Sequence, residues 1–339
     1  MRFLFFTDPH IRGTTPQNRK DNLFLTLQAK IKEVIALARK YRVDALLLGG
    51  DLFDRPDIAP SIVSEFAVIL RQVTVPIFAV AGNHDIFGQN PETLPRTMLG
   101  LLNSFAVLRL LPAGENTVLS KNGVKIQLTG RHYHYDLDRR DPEQDYCVKK
   151  ADGVDYAIHL VHGMLLEKPF HPGIPHTLLE QIVNTEADVT LCGHYHSGYD
   201  YRQGGIVEID GKYYINPGSL VRINNSTGEI LRMPRVILLD FDGPKPVFTP
   251  LPLRSAQPGA DVLDRTIIQA AEFRENKLAE FVRGVEAGGD RRTFGVSGII
   301  DAIAGNAGIT NPVRQEAIRR IAEVQQSLLI EEADYPANM

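Results

Sequence analysis

Residues 75–85 have the sequence Val-Pro-Ile-Phe-Ala-Val-Ala-Gly-Asn-His-Asp, in which an apolar run leads directly into polar side chains. An apolar run of this length that opens at a proline is typical of a buried β-strand. Gly82 allows a sharp turn at the end of the strand because glycine has no Cβ. Asn83, His84 and Asp85 would then lie at the carboxyl edge of a sheet, where α/β folds bind ligands.

Two earlier predicted strands end in polar clusters of the same kind. The strand at residues 3–7 stops at Asp8 and His10, and the strand at residues 45–48 stops just before Asp51 and Asp54. Apolar residues at helical spacing and a first-turn proline predict two intervening helices, at residues 23–38 and 60–72. Alternating strands and helices predict an α/β fold with a parallel sheet, so all three clusters should meet at one edge.

Two further strand ends carry histidines. A predicted strand at residues 156–161 ends at His162, and one at residues 189–191 is followed by His194 and His196. The pattern also predicts a helix at residues 95–103, a long loop at 131–150, and strands at residues 117–119, 124–128, 205–209, 212–215, 235–241 and 247–253.

Composition limits the classes of protein that the chain can belong to. The 339 residues carry a net charge of −4 and only two cysteines, which argues against a purely electrostatic nucleic-acid binder and against a disulfide framework. We find no apolar run of about 18 residues and no cleavable signal pattern, so we expect no membrane partner and a cytoplasmic location.

The polar residues at the five strand ends are of the types that bind transition metals. Carboxylate and imidazole together suit Mn, Fe or Zn better than Ca or Mg. A single Asp or His at a strand end is often only a cap, but five such ends make coincidence improbable. We therefore predict two divalent cations, with Asp51 as the natural bridge between them.

The order of these motifs resembles that of the calcineurin-like metallophosphoesterase superfamily. The matching motifs are Asp8-x-His10, Gly50-Asp51-x-x-Asp54, Gly82-Asn83-His84-Asp85, His162 and Gly193-His194-x-His196. The resemblance covers about residues 1–241 and implies a four-layer αββα sandwich, with a catalytic domain at residues 1–242. It implies that one metal is held by Asp8, His10, Asp51 and His196, and the other by Asp51, Asn83, His162 and His194.

The same resemblance implies roles in hydrolysis. A hydroxide formed from a water shared by the cations would attack the phosphate, His84 would protonate the leaving oxygen, and Asp54 would orient His84. We expect Asp85 to be a loop residue or to support the ligands. Arg55, His132 and His134 are candidate substrate contacts, and most other basic residues are ordinary surface.

Within the superfamily, the chain is most similar to the Mre11/SbcD-type DNA repair nucleases, on the stretches Thr7–Ile11, Arg19–Asn22 and Gly49–Arg55. This resemblance implies a DNA exo- or endonuclease with Mn²⁺ as the first expectation and Fe or Zn as alternatives. It also implies that residues 243–339 form a small capping segment and a helical appendage, with helices at 262–285 and 297–329 that bind an SbcC/Rad50-like ATPase.

Several alternatives remain open at this point. The chain could instead be a small-molecule or cyclic-nucleotide phosphodiesterase or phosphatase that needs no partner, and the helical tail could be an ordinary appendage. A homodimer could form through Ile62, Phe66, Ile69, Met98 and Leu102, although core packing explains them equally well. The candidate residues for a DNA path are Arg131, Arg139, Arg140, Lys149, Lys150, Arg202 and Arg222.

Overall fold

The computed structural model describes residues 1–224, 226–243 and 245–264, together with residues 266, 277, 310, 312, 313, 316, 319 and 320. The chain divides into two compact units, Met1–Arg265 and Thr266–Met339. The predicted partner-binding helices at 262–285 and 297–329 lie almost wholly outside the described residues.

The first unit alternates strands and helices in its first third and is richer in strands afterwards. Its helices are α1 (Leu23–Lys40), α2 (Pro60–Leu70), α3 (Met98–Ser104), α4 (Glu143–Tyr146), α5 (Thr227–Leu231) and α6 (Gly259–Val262). Its strands are β1 (Arg2–Phe6), β2 (Ala45–Leu48), β3 (Ile77–Ala79), β4 (Arg109–Leu110), β5 (Thr117–Lys121), β6 (Val124–Arg131), β7 (Tyr156–Gly163), β8 (Leu165–Leu166), β9 (Thr177–Leu178), β10 (Val189–His194), β11 (Ile206–Ile209), β12 (Lys212–Ile215), β13 (Arg235–Asp240) and β14 (Val247–Pro252).

Most strands belong to two six-stranded mixed sheets. The first sheet has the order β14-β13-β1-β2-β3-β4, and its last four strands are parallel. The second has the order β11-β12-β10-β7-β6-β5, in which the four central strands are parallel. The parallel strands in each sheet therefore end at a common edge, as the sequence predicts for β1, β2 and β3.

The two sheets pack face to face because alternate residues of their strands are apolar. Phe3, Phe5 and Leu47 from the first sheet share one buried cluster with Ile158 and Leu160 from the second. Successive side chains on a strand point to opposite faces, so the intervening residues face outwards. At about 1.5–3 kcal/mol for each large apolar side chain buried, this inner layer is a major source of stability.

Helices cover the outer face of the first sheet, while the outer face of the second is covered more thinly. The buried face of α1 packs with Leu4 and Leu48, which point away from the second sheet. On the other side, the cover is α4, a 3₁₀ turn at Leu179–Ile182 and their flanking segments. The predicted αββα arrangement is confirmed, and the predicted loop at residues 131–150 contains α4.

The residues considered for a homodimer face the interior of this unit. Phe66 and Leu102 are fully buried, and Ile69 is nearly so. Ile62 and Met98 are half-buried against the same core. Their apolar pattern is therefore explained by packing between α2, α3 and the first sheet.

The first unit extends past the predicted boundary at residue 242. Strand β14 pairs along its whole length with β13 and completes the edge of the first sheet. Beyond it, the carboxylate of Glu33 on α1 accepts hydrogen bonds from the backbone N–H groups of Arg254 and Ser255, each at 2.8 Å. Residues 247–255 thus belong to the sandwich rather than to a separate cap. None of the described helices is both long and apolar enough to cross a membrane.

Candidate metal centre

The polar strand ends have an unusual backbone conformation. Asp8, His10, Asp51 and His194 have φ angles of 52°, 44°, 48° and 77°. This left-handed region is unfavourable for residues with a Cβ, and each instance costs on the order of 1–3 kcal/mol unless its surroundings enforce it. Four such residues at the same edge of the sheets indicate that the surrounding structure holds these side chains in place at a cost in stability.

The two sheets approach each other closely at the centre. A Cβ on Gly193 would lie 2.4 Å from the carbonyl oxygen of Gly49 and 2.4 Å from Thr7 Oγ1. Only glycine fits at position 193, because any side chain there would collide with the backbone of the opposite sheet. The close contact brings the ends of β1, β2, β7 and β10 to a single location.

One group of ligand atoms gathers Asp8, His10, Asp51 and His196. His10 Nε2 lies 3.4 Å from Asp51 Oδ2 and 3.9 Å from Asp8 Oδ1. His196 Nε2 lies 3.6 Å from Asp8 Oδ1 and 3.1 Å from His10 Nε2. These are the four residues predicted to hold the first metal.

A second group gathers Asp51, His162 and His194. His162 Nε2 lies 3.3 Å from Asp51 Oδ2 and 3.2 Å from Asn83 Oδ1. His162 Nδ1 donates to the carbonyl oxygen of Gly49 at 2.7 Å, which leaves Nε2 as the nitrogen with the free lone pair. The structure thus brings together all four residues predicted for the second metal.

Asp51 Oδ2 provides the test of whether this centre fits two cations. It is buried, makes no hydrogen bond, and lies between His10 Nε2 and His162 Nε2. Leaving a buried carboxylate oxygen unpaired is costly. A cation on each side of Asp51 would satisfy this oxygen, so the residues fit a pair of metals bridged by one carboxylate.

The apoprotein holds part of the ligand set, but not all of it, in the protonation states that bind metals. Burial raises the pKa of the Asp8 carboxyl, but the His196 hydrogen bond and the nearby imidazoles outweigh it and bring the pKa to about 2. Burial lowers the pKa of His10 to about 3 and that of His194 to about 4, and in His194 the neighbouring His162 adds to the effect. At neutral pH, Asp8 is therefore ionised and His10 and His194 are neutral, which are the states that bind metals. Burial lowers the pKa of His162, but Asp51 and Asp8 outweigh it and raise the pKa to about 9, so metal binding must release a proton there.

His84 is not one of the predicted ligands, but its ring lies beside them and forms a third group of metal-type side chains with His10 and Asp54. Its backbone N–H donates to Asp51 Oδ1 at 2.9 Å, and its ring contacts the edge of His10 at 4.7 Å between centroids. His84 Nδ1 donates to the backbone carbonyl oxygen of Asp54 at 2.9 Å. The orienting contact from Asp54 thus comes from its main chain, whereas its carboxylate pairs with Arg12 Nη1 at 3.0 Å.

The three candidate substrate contacts each have a partner within the protein. His132 is buried, and its Nδ1 accepts a hydrogen bond from the backbone of Ala81, so it supports β3 rather than facing a substrate. His134 Nε2 lies 3.0 Å from the buried carboxylate of Asp145. Arg55 is exposed and forms an ion pair with its neighbour Asp57. Of the predicted basic path, Arg222 is also buried, where it donates to the carbonyl oxygens of residues 232 and 257.

Tyr133 lies against the second group, and no separate signal in the sequence points to it. Its ring centroid is 5.4 Å from that of His194 and 6.2 Å from that of His162. Tyr133 comes just after the end of β6, at the edge where the other site residues lie. That position was the available signal, but tyrosine is not among the residue types of the five predicted strand-end motifs.

Asp85 supports the loops that carry the ligands. Its buried carboxylate accepts hydrogen bonds from the backbone N–H groups of Leu52, Phe53 and Gly82 at 3.0–3.2 Å. Burial and the nearby charge of Asp51 raise the pKa of Asp85 to about 7. Asp85 therefore ties the turn after β3 to the loop after β2.

We expect Asp85→Asn to weaken both the fold and metal binding. An amide NH₂ would face at least one of the three N–H groups, and leaving a buried donor unpaired costs about 1–3 kcal/mol. Urea unfolding of the apoprotein measures the stability, and titration with Mn²⁺ measures the affinity. Asp57→Asn, at an exposed carboxylate, is the matched control and should change neither; an Asp85→Asn protein equal to wild type would exclude this clamping role.

The buried histidine His159 indicates how the stability of the fold should respond to acid. His159 on β7 donates from Nε2 to the carbonyl oxygen of Asp145, and its Nδ1 accepts from the Thr129 hydroxyl. Burial lowers the pKa of His159 to about 4. The folded protein thus takes up fewer protons at His159 than the unfolded chain does. The contribution of neutral His159 to the free energy of unfolding is therefore complete above about pH 6.5 and is lost as the pH falls towards 4.

We expect His159→Gln to reduce the loss of stability in acid. The wild-type contribution amounts to about 3 kcal/mol across this window, and glutamine can keep both hydrogen bonds without taking up a proton. Denaturant unfolding at pH 7 and at pH 5 measures the difference for each protein. An identical pH dependence in the variant and the wild type would show that His159 does not titrate in this range.

Comparison with known proteins identifies the family. The family model described as calcineurin-like phosphoesterase matches residues 1–198, and the chain belongs to this family. The match includes β1, β2, β3, β7 and β10, whose ends form the centre. The predicted superfamily is therefore confirmed.

Curated relatives are similar to parts of the chain. The DNA double-strand break repair protein Mre11 of Aeropyrum pernix is 32% identical over 110 residues, which are 31% of this chain and 26% of that protein. The double-strand break repair protein mre-11 of Caenorhabditis elegans is 22% identical over 293 residues, 70% of this chain and 39% of that protein. A probable cyclic nucleotide phosphodiesterase of Psychrobacter arcticus is 31% identical over 114 residues, 32% of this chain and 39% of that protein.

The chain spans about a quarter to two fifths of the length of these relatives. Among solved structures, a dimetal phosphatase from Danio rerio is 13% identical and covers 74% of this chain and 96% of its own, with a TM-score of 0.46.

Proposed function

We propose that this protein hydrolyses phosphodiester bonds with two divalent cations. The observation that carries the proposal is the buried Asp51 Oδ2, which makes no hydrogen bond and lies between His10 Nε2 and His162 Nε2. The mixture of imidazole and carboxylate ligands favours Mn²⁺, with Fe or Zn as alternatives. The proposed ligands are Asp8, His10, Asp51 and His196 for one cation, and Asp51, Asn83, His162 and His194 for the other.

The proton for the leaving oxygen would come from a side chain of the protein, His84, and not from the cations. When bound, the cations would activate a water and neutralise charge on the phosphate. His84 lies outside both ligand groups, and the carbonyl oxygen of Asp54 fixes its Nδ1–H. Its Nε2 is thus left to carry a proton to the leaving oxygen, which is the role of a general acid.

We further propose that the substrate is DNA, as in an exo- or endonuclease that works with an SbcC/Rad50-like ATPase. Two of the relatives described above are DNA double-strand break repair proteins, and the C. elegans relative aligns with 70% of this chain. The second candidate is a cyclic nucleotide phosphodiesterase. It is supported by the relative of that description, which is 31% identical over 114 residues.

The proposal is tested by Mn²⁺-dependent digestion of labelled single- and double-stranded DNA, with bis-p-nitrophenyl phosphate and cyclic AMP as small diesters. We expect wild-type protein to degrade DNA and His84→Ala to be slower by about 10²- to 10⁴-fold, with unchanged Mn²⁺ binding. Equal rates in the two proteins would exclude the proposed acid role of His84.

The small diesters separate the two candidates. Hydrolysis of cyclic AMP without cleavage of DNA would favour the second candidate. Failure of the Mn²⁺-loaded protein on every one of these substrates would contradict the phosphodiesterase proposal itself.

A further inference from the structure

A cleft of about 670 Å³ is built partly by the loop that carries the proposed ligand His196. Its lining includes Tyr195 and Ser197, the two residues that flank His196 in the chain. Ligand sites in proteins typically have volumes of about 300–1,000 Å³, so the cleft is large enough for one small organic group. Neither the proposed ligands nor His84 uses this space.

The walls of the cleft are aromatic and apolar. The rings of Phe170 and Tyr195 meet edge to face, with centroids 6.1 Å apart. Leu231 on α5 also lines the cleft and is 73% exposed, while Phe170 is 38% exposed. Large apolar side chains that line a cleft are suited to contact the flat face of an aromatic ligand.

The cleft is preformed because hydrogen bonds fix the loops that build it. The backbone carbonyl oxygen of Tyr195 accepts from Asn216 Nδ2 at 3.1 Å. Glu167 Oε2 accepts from the backbone N–H of Asp200 at 2.9 Å, which ties the loop before Phe170 to the loop after Tyr195. The two aromatic walls are therefore held at a defined separation.

The cleft also has basic side chains that are suited to contact the phosphates of a nucleic-acid backbone. Lys168 and Arg202 are exposed and line the same cleft as the two rings. The nearby carboxylates are engaged with backbone N–H groups: Glu167 binds that of Asp200, and Asp200 Oδ1 binds that of Arg202 at 2.9 Å. Aromatic rings and basic side chains in one groove are the combination that binds single-stranded nucleic acids.

We propose that this cleft binds the unstacked base of a nucleotide next to the scissile phosphate of a single DNA strand. The inference rests on the proposed function, because the metal centre, whose proposed ligand His196 lies on a loop that builds the cleft, would act on that phosphate. A base within a duplex is stacked on its neighbours and cannot enter, so the cleft favours single-stranded or frayed ends over intact duplex.

The test measures binding of a fluorescein-labelled single-stranded DNA 12-mer in EDTA, so that it does not depend on turnover. We expect Phe170→Ala and Tyr195→Ala each to raise the Kd by about 5- to 100-fold, the range for loss of one base stack. Tyr195→Phe keeps the ring and should bind like wild type. Phe105→Ala, at a phenylalanine that is 72% exposed and does not line the cleft, is the matched control.

A 12-mer of the same length built of abasic nucleotides completes the test. We expect wild type to bind it more weakly than the DNA 12-mer, and Phe170→Ala to bind the two alike. Equal Kd values of wild type and Phe170→Ala for the DNA 12-mer would overturn the inference, even if Mn²⁺-dependent DNA cleavage is intact. Conversely, if only cyclic AMP is cleaved, a raised KM for it in Phe170→Ala would support a base site while the nuclease proposal fails.

Discussion

Asp51→Asn should abolish binding at both metal positions and, with it, phosphodiester hydrolysis. Asp51 Oδ2 lies 3.4 Å from His10 Nε2 and 3.3 Å from His162 Nε2, so one carboxylate serves both groups of ligands. Asparagine keeps the shape but loses the negative charge, and its amide cannot bridge two cations. Losing a residue that merely supports a ligand costs about 10- to 100-fold in metal affinity, so losing the bridge should cost at least that much at each position.

The measurement is Mn²⁺ titration by calorimetry together with the rate on bis-p-nitrophenyl phosphate. We expect wild type to bind two Mn²⁺ per chain and Asp51→Asn to bind none with comparable affinity. Asp8→Asn is the informative comparison, because it should weaken chiefly the position that includes His10 and His196. An Asp51→Asn protein that still binds two Mn²⁺ would show that the bridge has been assigned to the wrong residue.

Gly82→Ala should damage the same centre through the backbone. A Cβ at this position would lie 2.0 Å from Asp51 Oδ1 and 2.6 Å from the backbone nitrogen of Asp51. The added methyl must push the loop after β2 away from the turn after β3, which also breaks the bonds that Asp85 makes to both. We expect a loss of about 3 kcal/mol or more in unfolding free energy, since overpacking and broken buried hydrogen bonds act together.

Urea unfolding and Mn²⁺ titration of Gly82→Ala check this expectation. Gly243→Ala is the control, because a Cβ there would make only an ordinary 3.5 Å contact with the carbonyl oxygen of residue 245. It should unfold within about 1 kcal/mol of wild type. A Gly82→Ala protein with the stability and Mn²⁺ affinity of wild type would mean that the loop yields without disturbing Asp51.

The fold was predictable because its signals are local. Apolar runs of strand length with intervening amphipathic helices predict a parallel sheet, and the polar residue after each run indicates which edge carries the site. The end of the catalytic domain was less predictable. Strand β14 follows a Gly-Pro segment that is typical of a domain boundary, and only its pairing with β13 shows that it completes the sandwich.

The supporting contacts were harder to predict than the ligands. The family resemblance implies that Asp54 orients His84, but it does not specify which group of Asp54 makes the contact. The observed partner is the backbone carbonyl oxygen of Asp54, since the carboxylate turns towards Arg12. The contact of His132 with Ala81 was hard to predict for a related reason, because it depends on how residues far apart in the chain pack.

The sequence by itself determined the class of fold, the set of metal-type residues and their order along the chain. These follow from strand periodicity and from the chemistry of individual side chains, which do not depend on long-range packing. The tertiary structure alone decided that Asp51 Oδ2 lies between two imidazoles without a hydrogen bond, that Asp85 joins two loops, and that the residues on either side of His196 line an aromatic cleft. Each of these depends on distances between segments tens of residues apart, which only the packing of the two sheets sets.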